Sequence, residues 1–74
     1  LNSKFTHQNA DKIAEVIGAM TDKIEEQAAT AVLSVLGRHI RADEQPTVVK
    51  FLQETSLKDL CLVLLNSNEF IHVN

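Results

Sequence analysis

Apolar residues recur at intervals of three and four along most of this chain, the spacing that gathers them on one side of an α-helix. Phe5, Ile13, Val16, Ile17 and Met20 trace the first such stripe, with Ala10 and Ala14 beside them. Lys12, Glu15 and the Gln8–Asn9 pair fall on the other face. An Asn-Ser pair in the Leu1–Phe5 opening can cap a helix. Together these predict a first helix reaching about Ala19, with Gly18 weakening its last turn.

A second stripe follows in Ile24, Ala28, Ala31, Val32, Val35 and Leu36. Asp22 and Glu25 stand at capping-box spacing and predict the start of this helix. Ala28, Ala29 and Ala31 are small enough to let another helix approach closely. Gly37 stands where a left-handed residue ends a helix. Arg38–Ala42 reads as a connecting turn, and Arg41 or Asp43 opens a third helix. Pro46 is tolerated only within that helix's first turn. Val48, Val49, Phe51 and Leu52 supply its apolar residues.

Ser56, with Asp59 three residues on, caps a fourth helix. Leu57, Leu60, Cys61, Leu64 and Leu65 form its stripe, which Leu62 and Val63 extend around the cylinder. A helix apolar nearly all round belongs at a centre. Asn66-Ser67-Asn68 ends it, and Phe70, Ile71 and Val73 alternate with His72 and Asn74 in a short extended tail expected to fold back on the core. The pattern therefore predicts an all-α fold: one compact four-helix domain over 1–74 with a central, strongly apolar C-terminal helix.

Composition agrees. The hydrophobic fraction is 45% and the charged fraction 23%, as in a folded domain, with only two Gly and one Pro to interrupt helices. Ten acidic residues outweigh seven basic ones, for a net charge of −3, and both kinds are scattered. That argues against nucleic acid and anionic membrane as partners. The longest apolar run, Leu60–Leu65, is far below membrane-spanning length. One cysteine allows no internal disulfide. The chain begins at Leu1 rather than Met, which suggests a fragment of something longer.

Candidate chemistry is sparse. His7, His39 and His72 are far apart and lack the i, i+4 spacing of a helical metal site, so no metal is expected. Cys61 lies inside an apolar stripe, the setting of a core residue rather than a nucleophile. Glu25, Glu26, Asp43 and Glu44 stand beside helix starts, where they complement the helix dipole. No residue is read as catalytic or cofactor-binding. Arg38, His39 and Arg41 form the one local basic cluster, a possible contact for an acidic partner or a phosphate; the plainer alternative sets Arg38 against the end of the second helix and leaves the others solvated. Thr55-Ser56-Leu57 with Asp59-Leu60 looks superficially like the serine site of acyl carrier proteins. Thr55 stands where that family has Asp, and little chain follows the serine; Ser56 as an N-cap accounts for the same residues.

Four segments carry a broader resemblance: LNSKF at the start, AVLSVLGR over Ala31–Arg38, the acidic opening of the third helix at Glu44, and DLCLVLLNSNEFIHV. Together they resemble the C-terminal end of large planctomycete-type proteins that carry a cytochrome-c-like domain followed by domains of unknown function. Leu64–Phe70 is the most specific part. In that family the Leu-Gly-Arg turn usually continues with Pro and then Thr or Ser; Ile40 and Arg41 stand there instead, which would move the third helix's start to Asp43. The resemblance implies an exported parent, periplasmic or at the cell surface, and no assigned catalytic residues. It also gives the LNS shared by the two ends a meaning, since both would close an apolar helix, the first lying before Leu1.

The expected function is a non-catalytic structural or protein-interaction module ending a larger exported protein. It would pack on upstream domains of the same chain or on another protein, through Arg38 and exposed apolar residues near the ends. The alternative is an accessory domain of a parent enzyme acting on polysaccharide or in electron transfer, and a phosphopantetheine carrier protein is the outlying one.

Overall fold

Ser3 opens the first helix. In the computed structural model, which describes residues 3–67, its hydroxyl oxygen accepts the Thr6 N–H at 3.1 Å. Helix α1 runs from there over Lys4–Met20. Gly18 does not end it; the Thr21 N–H still reaches the Ile17 carbonyl at 3.2 Å.

Helix α2 spans Ile24–Leu36, and here the expected cap is wrong. Lys23 holds the N-cap position, and no side chain caps from it. Thr21 serves the start instead. Its hydroxyl accepts the Lys23 N–H at 3.1 Å and donates to Glu26 at 2.7 Å. A hydroxyl can accept and donate at once, whereas the carboxylate of Asp22 can only accept. Gln27 adds a bond to the Thr21 carbonyl. Glu25 and Glu26 sit in the first turn, where the dipole favours them. Gly37 ends the helix at φ 72°, with its N–H on the Leu33 carbonyl.

The third helix begins later than either expected residue. Helix α3 covers Gln45–Glu54, with Glu44 at its N-cap and Pro46 in the first turn. The delay has a local cause. A turn forms first, in which the Glu44 carboxylate accepts the Arg41 N–H at 2.8 Å and the Gln45 N–H meets the Arg41 carbonyl. Helix α4 covers Leu57–Leu65, and Ser56 caps it by accepting the Asp59 N–H at 3.1 Å. Asn66 and Ser67 close its far end by donating to the Leu62 and Leu64 carbonyls.

These four helices are the whole of the regular structure among the described residues, in a globule of 28 × 25 × 20 Å. α2 and α4 each pack against the other three helices, while α1 and α3 do not meet. Ala10, Ala28 and Ala31 are fully buried, and their small side chains let the backbones approach. Ile17, Val32 and Cys61 are the largest fully buried side chains; Val35, Leu52, Leu60, Leu64 and Leu65 complete the core. Val63 faces outward and Leu62 is half-buried, so part of the α4 surface is open. Lys58 of α4 meets Asp11 of α1 at 3.2 Å, an exposed ion pair that adds little. No helix among the described residues is long and apolar enough to cross a membrane. The extended tail expected over Phe70–Asn74 lies outside the described residues, as do Leu1 and Asn2.

Candidate interaction surface

The basic cluster is built into the α2–α3 connection. Gly37 turns the chain back, which brings Arg38 over the start of α3. Its Nη1 donates to Glu44 Oε1 at 2.6 Å and its Nη2 to Oε2 at 3.3 Å, the two-pronged arrangement that suits guanidinium and carboxylate. Nη1 also meets the His39 carbonyl at 3.1 Å. Arg41 reaches the same carboxylate at 3.6 Å while staying 60% exposed. The Glu44 carboxyl is held well below the usual carboxylate range, at about 2, first by the Arg38 hydrogen bond and then by that of the Arg41 backbone. Of the three cluster residues, Arg38 is thus committed to the protein's own loop. His39 and Arg41 remain exposed, and Arg41 is partly neutralised.

A different feature stands out on the α1–α2 side. A groove of about 460 Å³ runs between these helices. Ile13 and Ile17 lie toward the core, and Val16, Met20 and Leu33 stand at its edges, 57%, 67% and 44% exposed. Thr30 and Ser34 keep the α2 wall low, and Lys12 is the one charged residue of the lining. The cause is the width of the α1 apolar arc. At about 100° per residue, Thr6, Ala10 and Ile17 share one direction, while Phe5, Val16 and Met20 cluster about 90° away. The domain covers the first set and leaves the second open, Phe5 at 72% exposure. Periodicity placed Phe5, Ala10, Val16, Ile17 and Met20 on one side with Lys12 opposite; Lys12 in fact borders the open half.

A wider recess of about 700 Å³ lies between α3 and α4, lined by residues including Phe51, Thr55, Leu62 and Val63. Asn66 and Ser67 also line it. Cys61 is fully buried, and burial pushes its thiol up to about 11, so it is a packing residue in this fold. Ser56 is exposed, with its hydroxyl oxygen engaged as the α4 cap. No three His, Cys, Asp or Glu side chains among the described residues gather as a metal site would require. No protein-family model, curated protein or solved structure matches this chain.

Proposed function

We propose that the chain is a non-catalytic interaction module of a larger exported protein, periplasmic or at the cell surface, and that the α1–α2 groove is its contact face. The open apolar half of α1 is the observation that carries this reading. Small domains have little apolar surface to spare, and contiguous exposed apolar patches mark contact sites. Val16, Met20 and Leu33 would each contribute about 1.5–3 kcal/mol on full burial, an upper figure for residues already part-covered. The exported parent rests on the resemblance described above. Arg38, with His39 and Arg41 a candidate partner contact from sequence, bonds Glu44 of its own loop and lies outside this groove.

Within this reading α4 is the helix on which the module is built. The packing of α4 against three helices and its four buried residues, Leu60, Cys61, Leu64 and Leu65, support this.

The test compares hydroxyl-radical footprinting of Met20 in the isolated chain and in the native full-length parent. Strong protection of Met20 in the parent is expected. Equal oxidation in both would remove the contact face, and turnover of any substrate by the purified chain would remove the non-catalytic reading.

A further inference from the structure

We draw no further inference here: the strongest candidate, the apolar groove between α1 and α2 edged by Val16, Met20 and Leu33, is the face already described, and nothing in the structure shows what covers it.

Discussion

Arg38 and Glu44, six residues apart across the α2–α3 loop, are joined by two guanidinium–carboxylate hydrogen bonds, the shorter at 2.6 Å. The same carboxylate takes the Arg41 N–H, so one side chain ties both ends of the connection to the start of α3. Its folded-state pKa, about 2, is below the ordinary 4.5. A depressed acid contributes stability above its unfolded pKa and loses it as pH falls through the folded one. Thermal unfolding followed by circular dichroism should therefore show Glu44→Gln less stable than the parent sequence by a constant margin at neutral pH. That margin should shrink as pH falls below about 4.5 and close near 2. A margin independent of pH would mean that the carboxylate's charge does not hold the loop.

The two glycines should respond to alanine with opposite signs. Gly37 has φ 72°, and a Cβ there meets nothing within 4 Å, so the penalty is conformational alone, about 1–2 kcal/mol. Gly18 sits in the exposed last turns of α1 with the same open space. Gly18→Ala should stabilise by about 0.5–1 kcal/mol, because alanine loses less backbone freedom on folding. Urea unfolding of both variants checks this. A stabilised Gly37→Ala would mean that the turn can leave the left-handed region without loss.

Cys61 should be silent toward thiol reagents in the folded protein. It is fully buried, and its thiol is pushed up to about 11, so little thiolate exists at neutral pH. Dithionitrobenzoate should label it only at the rate at which the fold opens, and completely in guanidinium chloride. Rapid labelling without denaturant would show that the α4 packing opens readily.

Much of this fold is legible because its helices carry their own punctuation. Ser3, Ser56 and Gly37 each mark a boundary through a local rule involving only residues within one turn. Thr21 escapes such reading because Asp22, the more conventional signal, stands next to it. The Arg38–Glu44 tie escapes for another reason: two residues joined across an irregular loop leave no periodic trace. The groove is the most instructive case. Periodicity tells which α1 residues share a side, but not how wide an arc the neighbouring helices will cover. Phe5, Val16 and Met20 become a surface only once α2 and α4 are in place beside Ala10 and Ile17. Lys12 likewise reads as solvent-facing until the open half of the arc arrives next to it.

Leu64 and its neighbour Val63 offer the sharpest test of how far the core depends on α4. Leu64 is buried at 9% exposure, whereas Val63 is 51% exposed one residue earlier. Both are apolar residues of one helix, so local sequence is nearly matched between them, and packing is the main difference. Truncating Leu64 to alanine removes three carbons from the packed interior and leaves a cavity that the surrounding helices fill only in part. If α4 is the helix on which the others rest, the cost should be about 2–5 kcal/mol, a large share of what so small a domain has. Val63→Ala should change stability by no more than about 0.5 kcal/mol, as at other surface sites. Chemical denaturation of the two variants side by side gives both values. Near-equal small losses would move the organising role to α2, which also packs against all three other helices. Val32→Ala, at a fully buried α2 position, would then be the costlier truncation.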